Sequence, residues 1–373
     1  MKKIVITGSN GFIGSHLVNF LTISNRDYEI IPIDSISFNK NDFLSKSLAQ
    51  CDILIHLAGI NRHEDESKIW DENVGLTRQL IKELEKLSHP LRVLFSSSTQ
   101  ENEASAYGLA KKKCREIWEE WSSQSGNQFT GMIIPNVFGP FGKPFYNSFI
   151  ATFCFQLNKG ETPQVYVNKN VSLIFISELV EEIINWIEND DPSTLIKIEP
   201  THQTTVVDVL KELEIFKKKY LDDGIIPDIS QKFSAQLFNT FRSFMDYKTA
   251  FPKKYISHAD NRGSFVELVR LNTGGQVSFS STFPGVTRGN HFHTRKAERF
   301  SVISGYAKME LRRFGQDEII TYILDGNQPS YVDIPVWYYH NLTNIGDDIL
   351  YTIFWISEQF DPNDSDTYFE LNQ

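Results

Sequence analysis

The sequence is poor in cysteine and has no long hydrophobic run. Cys51, Cys114 and Cys154 are the three cysteines in 373 residues, and their lack of paired spacing favours a reducing compartment. No stretch approaches the roughly 20 apolar residues that a membrane helix needs. Gly8 ends the first apolar run too early for a signal peptide. These absences predict a soluble, cytoplasmic protein.

An excess of positive charge is also missing. The chain has 37 Lys and Arg against 47 Asp and Glu, which gives a net charge of −10. This balance argues against a general nucleic-acid or anionic-membrane binder, because neither surface would be attracted. With 40% hydrophobic and 23% charged residues, intrinsic disorder is excluded as well. At roughly 150 residues per domain, the length predicts two domains.

The chain changes its pattern along its length. Up to about residue 190, short apolar runs such as residues 3–7 alternate with helical patterns such as 13–21, which predicts an α/β doubly wound parallel sheet. From about residue 255, short β-prone segments such as 276–281 and 299–303 predict an all-β antiparallel barrel or jelly roll. A polar helical piece lies between them, and Pro252 suggests domains at 1–250 and 251–373.

A glycine-rich turn follows the first predicted strand. Glycines there permit the tight turn and the close approach of a pyrophosphate, which the following helix N-terminus can bind. The residues predicted to hold a dinucleotide are Gly8, Asn10, Gly11, Phe12, Ile13 and Gly14. Asp34, at the end of the second predicted strand, would bind the ribose and repel a 2′-phosphate, which favours NAD. Lys40 and Arg26 leave NADP open, so the prediction is NAD(P)H.

Tyr107 and Lys111 lie one helical turn apart after a serine-rich strand end. A neighbouring ammonium and an oxidised nicotinamide would favour the phenolate form of the tyrosine. In its protonated form, the tyrosine would protonate a carbonyl oxygen as hydride arrives. A serine hydroxyl would orient that carbonyl. The pattern predicts a carbonyl reductase, although an isolated Tyr-x-x-x-Lys is a common surface pair.

Residues 1–250 resemble the extended short-chain dehydrogenase/reductase family, especially its sugar-nucleotide epimerases and reductases. The resemblance implies that Ser98, Tyr107 and Lys111 are catalytic, with Ser97 and Thr99 as alternatives for the serine. The further cofactor residues that it implies are Leu57, Ala58, Gly59 and Asn73, and the substrate residues are Asn136, Asn147 and Ser148.

The second half carries a candidate metal site. His291 and His293 alternate along a predicted strand and therefore share a face, where Glu298 and His340 can join them. Three histidines and a glutamate suit Zn, Fe, Mn or Ni as a divalent ion, and zinc is our prediction.

This pattern is similar to the two motifs of the cupin family, in which Trp337 stands where glycine is usual. The resemblance also makes Arg262 a candidate substrate residue, with a salt-bridged surface arginine as the alternative. The candidate bases near this site are Tyr338, Tyr339, Lys296 and His258.

An extended reductase followed by a cupin resembles the bacterial capsular polysaccharide assembling protein F family over the whole chain. The segment from Phe360 to Phe369 is the most specific part of this resemblance, because no general fold requires it. The resemblance implies a homodimer that epimerises carbon 3 of a UDP-6-deoxy-4-keto-HexNAc and then reduces carbon 4. The implied product is UDP-2-acetamido-2,6-dideoxy-L-talose, a precursor of UDP-N-acetyl-L-fucosamine for capsule or O-antigen synthesis. Two alternatives remain: a reductase whose cupin only dimerises, and a nucleotide-sugar sensor without turnover.

Overall fold

The computed structural model describes residues 2–24, 26–189, 192–260, 263–266, 268–269, 275–358 and 361–369, with the backbone alone at 41, 257–260 and 263–266. The chain divides into two compact units, Met1–Thr152 with Tyr166–Val206, and Phe153–Val165 with Val207–Gln373. The predicted boundary near residue 250 lies inside the second unit, where helices give way to strands. Among the described residues, no helix combines the length and apolar content required to cross a bilayer.

The first unit contains a six-stranded parallel sheet in the order β2-β1-β3-β4-β5-β8 and a smaller sheet in the order β6-β7-β9. The strands are β1 (Lys2–Thr7), β2 (Tyr28–Ile33), β3 (Ile53–His56), β4 (Arg92–Ser98), β5 (Gln128–Ile134), β6 (Asn136–Phe138), β7 (Asn170–Phe175), β8 (Leu195–Lys197) and β9 (His202–Thr205). Ile4, Val5 and Ile6 are fully buried, as expected for a central strand covered on both faces. The predicted doubly wound sheet is confirmed.

Helices follow most of these strands. They are α1 (Phe12–Ile23), α2 (Ser35–Phe38), α3 (Asn41–Leu48), α4 (Glu66–Leu84), α5 (Ala106–Ser125), α6 (Phe149–Asn158) and α7 (Ile176–Glu188), with a 3-10 helix at Thr99–Asn102. Helix α6 passes from the first unit into the second. Trp118 of α5 and Phe95 of β4 belong to the apolar core of the first unit. The strand order reverses between β1 and β3, and ligands of such sheets bind at the carboxyl ends of the strands at this point.

The second unit combines helices with antiparallel strands, which confirms the predicted β-rich part. Its helices are α8 (Val206–Phe216), α9 (Lys232–Arg242) and α10 (Tyr247–Ala250), with a π-helical turn at Lys217–Asp222. Its strands are β10 (Lys253–Lys254), β11 (Ser257–Asp260), β12 (Gly263–Val266), β13 (Gln276–Thr282), β14 (Thr287–Phe292), β15 (Glu298–Ser304), β16 (Tyr306–Arg313), β17 (Ile319–Asp325), β18 (Ser330–Ile334), β19 (Tyr338–Asn344), β20 (Leu350–Ile356) and β21 (Tyr368–Phe369).

Two five-stranded sheets enclose the core of this unit. Their orders are β10-β18-β15-β20-β13 and β17-β16-β19-β14-β21. Val302 and Val332 from the first sheet and Met309 and Leu342 from the second belong to one buried cluster. The two sheets therefore share a core, and the predicted metal ligands lie on strands β14, β15 and β19 or next to them.

Two candidate functional sites

The glycine-rich turn of the first unit lies against the residues that follow β3. Gly8 has a φ of +72°, which favours glycine, and a Cβ there would lie 2.7 Å from the amide nitrogen of Ala58 and 3.0 Å from the carbonyl carbon of Leu57. A Cβ at Gly14 would overlap the carbonyl oxygen of Gly8. The structure thus brings these predicted cofactor residues together at the carboxyl ends of β1 and β3.

Asp34 caps α2 and also contacts the glycine-rich turn. One oxygen accepts a hydrogen bond from the amide of Ser37 at 2.7 Å and caps α2, and the other accepts from Nδ2 of Asn10 at 3.2 Å. The hydrogen bonds with Ser37 lower the pKa of Asp34. An ionised carboxylate therefore lies next to the glycine turn, as ribose binding requires.

Tyr107 and Lys111 lie in the first turns of α5, which Ser105 caps by accepting from the amide of Gly108. Nζ of Lys111 lies 5.9 Å from the centre of the Tyr107 ring and donates to the carbonyl of Ser96 at 2.7 Å. Burial lowers the pKa of Lys111 to about 8 and raises that of Tyr107. The tyrosine is consequently a neutral phenol at neutral pH, the form that can donate a proton.

The predicted cofactor residues after β3 approach the same lysine. A Cβ at Gly59 would lie 3.7 Å from Nζ of Lys111 and would collide with the side-chain oxygen of Asn73. Nδ2 of Asn73 donates to the carbonyl of Ile60 at 2.7 Å, which fixes the segment after β3 against α4. Gly59, Asn73 and Lys111 therefore form one cluster.

The serines at the end of β4 have different surroundings. Ser97 is buried and donates to Oε2 of Glu101 at 2.5 Å, and Glu101 pairs with Arg115. Ser98 is half-buried and accepts from the amide of Gln100 at 3.2 Å. The hydroxyl of Ser97 thus serves an internal ion pair, and a catalytic role for Ser98 stays a prediction.

The predicted substrate residues are more scattered. Nδ2 of Asn136 donates to the carbonyl of Ser172 at 3.3 Å, and the hydroxyl of Ser148 accepts from the amide of Ala151 at 3.2 Å near the start of α6. Asn147 is exposed beside it. Arg262 lies outside the described residues. Substrate contact by these four residues stays a prediction.

In the second unit, the four predicted metal ligands converge. The ligand atoms of His291, His293, Glu298 and His340 all lie within 4.8 Å of one another. Oε2 of Glu298 lies 3.3 Å from Nε2 of both His293 and His340. The pairing of β14 with β19 sets His291 opposite His340. His293 directly follows β14, so these two neighbouring strands position all three histidines.

This cluster fits a divalent metal ion. Oε2 of Glu298 and Nε2 of His293 are buried and form no hydrogen bond of ordinary geometry among the described residues. Burial would raise the pKa of Glu298, but His293 and His340 lower it to about 2, and burial lowers the pKa of His340 to about 3. A carboxylate and a neutral imidazole are the forms that bind metal, and a metal would satisfy the buried atoms.

Trp337 occupies the position where the cupin pattern has glycine, and it adopts a glycine-like backbone. Its φ is +64°, and its amide donates to the carbonyl of His293 at 2.7 Å. Its ring packs on Phe292 with 5.5 Å between centres. Packing and this hydrogen bond therefore hold the left-handed backbone at Trp337, three residues before His340.

The candidate bases also differ in their placement. Tyr339 packs on Phe292, which lies on the opposite face of β14 from His291 and His293, and so faces away from the ligands. Lys296 is buried and donates to the carbonyl of Ser365 at 2.8 Å. Tyr338 shares its strand face with His340. The side chain of His258 lies outside the described structure.

Comparison with known families identifies the family to which the first unit is similar. Residues 4–198 match the profile of the NAD dependent epimerase/dehydratase family. The chain belongs to this family. Residues 258–368 match a second profile, the polysaccharide biosynthesis C-terminal domain, so the NAD dependent epimerase/dehydratase part is joined to a distinct C-terminal part.

Two full-length relatives of this NAD dependent epimerase/dehydratase confirm the two-part resemblance. A Pseudomonas aeruginosa UDP-2-acetamido-2,6-beta-L-arabino-hexul-4-ose reductase is 29% identical over 371 residues, 98% of either chain. The crystal structure of capsular polysaccharide assembling protein CapF from Staphylococcus aureus is 33% identical, covers 98% of this chain and 99% of its own, and has a TM-score of 0.64. A UDP-N-acetylglucosamine 4-epimerase from Methanobrevibacter ruminantium, 21% identical with a TM-score of 0.54, covers 65% of this chain and 98% of its own and shares the fold.

Two contacts that support these sites were not predicted from the sequence. The side chains of Thr7 and His56 are joined by a 2.7 Å hydrogen bond next to the glycine turn. In the second unit, the backbone carbonyl of Asp366 contacts the candidate ligand His293. For Asp366 a signal existed, because it lies in the closing segment that the resemblance marked as specific.

Proposed function

We propose that the chain is a bifunctional enzyme that epimerises carbon 3 of a UDP-6-deoxy-4-keto-HexNAc and reduces the carbon 4 ketone with NAD(P)H. The product would be UDP-2-acetamido-2,6-dideoxy-L-talose, a precursor of UDP-N-acetyl-L-fucosamine in capsule or O-antigen synthesis. The observation that carries the proposal is the presence of two separate chemical centres in one chain, Tyr107 with Lys111 and the cluster around Glu298.

The reductase half would act through α5. When bound, a reduced nicotinamide would supply the hydride. Tyr107 would donate its phenolic proton to the oxygen on carbon 4, and the ammonium of Lys111 would stabilise the resulting phenolate. Ser98 would hold the carbonyl by a hydrogen bond, and Asp34 would bind the ribose of the dinucleotide.

The epimerase half would use the four-ligand cluster. A divalent metal held by His291, His293, Glu298 and His340 would supply Lewis acidity, and zinc remains our prediction. A hydrogen on carbon 3 is acidic because it lies next to the carbon 4 ketone. Epimerisation removes it from one face and returns a proton to the other, and reduction of the ketone then ends this exchange and makes the inversion irreversible.

Solvent exchange tests the epimerase half directly. In deuterium oxide without cofactor, we expect the protein to incorporate deuterium at carbon 3 of the keto-sugar, followed by NMR or mass spectrometry. His291→Ala should abolish the incorporation, because it removes one ligand of the cluster. Tyr107→Phe is the control: it should retain incorporation and lose cofactor oxidation.

The same measurements separate the proposal from its rivals. If the second unit only dimerises, a folded His340→Ala protein of unchanged quaternary structure will oxidise cofactor at the wild-type rate. Unchanged deuterium incorporation by His291→Ala would overturn the metal-assisted epimerisation. A sensor without turnover would show neither activity in the wild type.

The homodimer and the cytoplasmic location stay predictions within this proposal. Support for dimerisation comes from β13, which ends its sheet in the described strand order and leaves Val277 53% and Phe279 72% exposed. Exposed apolar side chains on an edge strand are typical of a surface that another chain covers. Support for a reducing location comes from the three buried, free cysteines.

A further inference from the structure

The closing segment, residues 361–369, has no role in the chemistry proposed above, yet it lies beside the four candidate metal ligands. Its strand β21 pairs antiparallel with β14, so that Phe369 lies opposite His291 and Tyr368 opposite Phe292. The Phe369 ring is 5.8 Å from that of His291. The closing segment therefore adds a strand next to β14, which carries His291 and ends directly before His293.

Asp366 connects this segment to the turn between β14 and β15. Its buried carboxylate accepts hydrogen bonds from the amides of Thr294, Arg295 and Lys296, at 3.0, 3.0 and 3.1 Å, and from Oγ1 of Thr294 at 2.6 Å. Three successive amides directed at one carboxylate form an anion-binding concavity. Because the turn separates His293 from Glu298, fixing it sets the spacing of these two ligands.

The backbone of Asp366 acts on a ligand itself. Its carbonyl oxygen lies 2.5 Å from Nδ1 of His293, and a carbonyl can only accept a hydrogen bond, so Nδ1 is the donor. The other ring nitrogen, Nε2, is then directed toward Oε2 of Glu298 at 3.3 Å. A partner of this kind fixes both the tautomer and the orientation of a ligating histidine.

The backbone at Asp366 is held in a conformation that needs this support. Its φ is +44°, in the left-handed region that non-glycine residues rarely adopt. The carboxylate contacts hold the residue there and bring its carbonyl to His293. Side chain and main chain thus act together, one on the turn and one on the ligand.

We infer that Asp366 is a positioning residue for the metal centre, and that the closing segment serves to present His293 in its metal-binding tautomer and at the correct distance from Glu298. The inference rests on the proposed metal centre. It assigns a purpose to the segment that neither the reductase chemistry nor the barrel requires.

Metal affinity of the full-length protein tests the inference without reference to turnover. The zinc dissociation constant is measured by competition with a chromophoric chelator in wild type, Asp366→Ala and Asp364→Ala. Asp366→Ala keeps the carbonyl but removes the side-chain contacts that hold it against His293. A ligating histidine that loses its hydrogen-bonded partner binds metal about 10- to 100-fold more weakly, and we expect a loss of this size. Asp364 is the matched control, since it lies in the same segment and pairs with Arg295 at 2.7 Å but is 64% exposed. Its replacement should leave the affinity unchanged.

Cobalt absorption adds a readout that a merely structural role would not change. With Co²⁺ bound, Asp366→Ala should alter the visible ligand-field bands, whereas Asp364→Ala should reproduce the wild-type spectrum. If Asp366→Ala does not fold, Thr294→Val decides, because it removes the 2.6 Å hydrogen bond to Asp366 while keeping the three amide contacts, and it should cause a smaller loss of affinity. Asp366→Asn should partly rescue binding, since it keeps the shape and two acceptor contacts.

The outcomes separate this inference from the proposal beneath it. A wild-type protein that binds neither zinc nor cobalt would overturn the metal centre and the positioning role together. Wild-type binding with equal affinity and equal spectra in a folded Asp366→Ala protein, or in Thr294→Val where that variant decides, would overturn the positioning role alone.

Discussion

Asp34 shows how one side chain can stabilise a helix and prepare a binding site. Its two oxygens accept from the amide of Ser37 and from Nδ2 of Asn10, so the cap of α2 also faces the glycine turn. A capping aspartate and a ribose-binding aspartate are therefore not alternatives here. The capping contact keeps the carboxylate ionised and oriented for a second partner.

Replacing Asp34 should change cofactor preference. In Asp34→Ala we expect NADH to bind about 10- to 100-fold more weakly, the effect of losing a hydrogen bond to a charged group, while NADPH binding changes less. Dissociation constants from nicotinamide fluorescence check this. Asp65→Ala is the control, because Asp65 caps α4 in the same way, through the amide of Ser67 at 3.0 Å. A strong NADPH preference already present in the wild type would refute the NAD assignment.

The residues of the two sites differ in how far the sequence could predict them. The convergence of His291, His293, Glu298 and His340 follows from strand alternation and a shared ligand chemistry, both visible in the sequence. The contact of His293 with Asp366 does not, because its acceptor is a backbone carbonyl 73 positions away and every residue has one. A main-chain acceptor does not depend on residue type, so the sequence does not reveal it.

At the scale of elements, strands and helices were predicted correctly where glycine or polar turns interrupt the hydrophobic pattern. Apolar runs at residues 3–7, 29–33, 52–57, 91–96 and 131–134 predict the five strands β1 to β5, because glycine or polar turns separate them. Apolar periodicity predicts helices where α1, α4 and α5 lie, but not the short helices α2 and α3. The apolar periodicity of the sequence predicts a helix over residues 73–87, whereas α4 begins at Glu66, since Asp65 caps a first turn too exposed and polar to show that pattern. Helix α7 was missed because it follows β7 at once, without a glycine or proline between Phe175 and Ile176.

Three elements of the second unit meet at a buried ion pair. Arg299 of β15 binds both oxygens of Asp333 of β18, at 2.7 and 3.0 Å, and the hydroxyl of Tyr220 from the π-helical turn donates to the same carboxylate. Arg299 and Asp333 are each 2% exposed. The guanidinium of Arg299 also lies 3.9 Å from the centre of the Tyr331 ring. The helical turn is thereby bound to the sheet that carries Glu298.

Removing this carboxylate should strongly destabilise the second unit. Asp333→Asn leaves the guanidinium of Arg299 buried without its counter-charge, which costs about 3–5 kcal/mol. Differential scanning calorimetry should show one transition at a clearly lower temperature. Lys248→Ala is the control, because its 2.6 Å pair with Glu318 is exposed and contributes about 0–1 kcal/mol. Equal shifts in the two variants would show that the buried pair has no special weight.

For the molecule as a whole, the net charge of −10 conflicts with binding a diphosphate unless the positive potential is local. The glycine turn resolves this conflict, because backbone amides at the start of α1 can bind phosphate without any basic face. Such short-range contacts allow a chain of net negative charge to hold the pyrophosphate of the proposed dinucleotide.

The presence of two chemical centres in one chain makes a prediction about mixtures. Tyr107→Phe should keep carbon 3 exchange without reduction. His340→Ala should keep an intact reductase centre but, without exchange, should receive no epimerised ketone and oxidise little NAD(P)H by itself. Since the epimerised ketone must leave one centre and reach the other, an equimolar mixture of the two proteins should oxidise NAD(P)H when supplied with the keto-sugar. The measurement is absorbance of the reduced nicotinamide, with each variant alone as the control. A mixture no more active than either variant alone would mean that the intermediate never leaves the chain on which it forms.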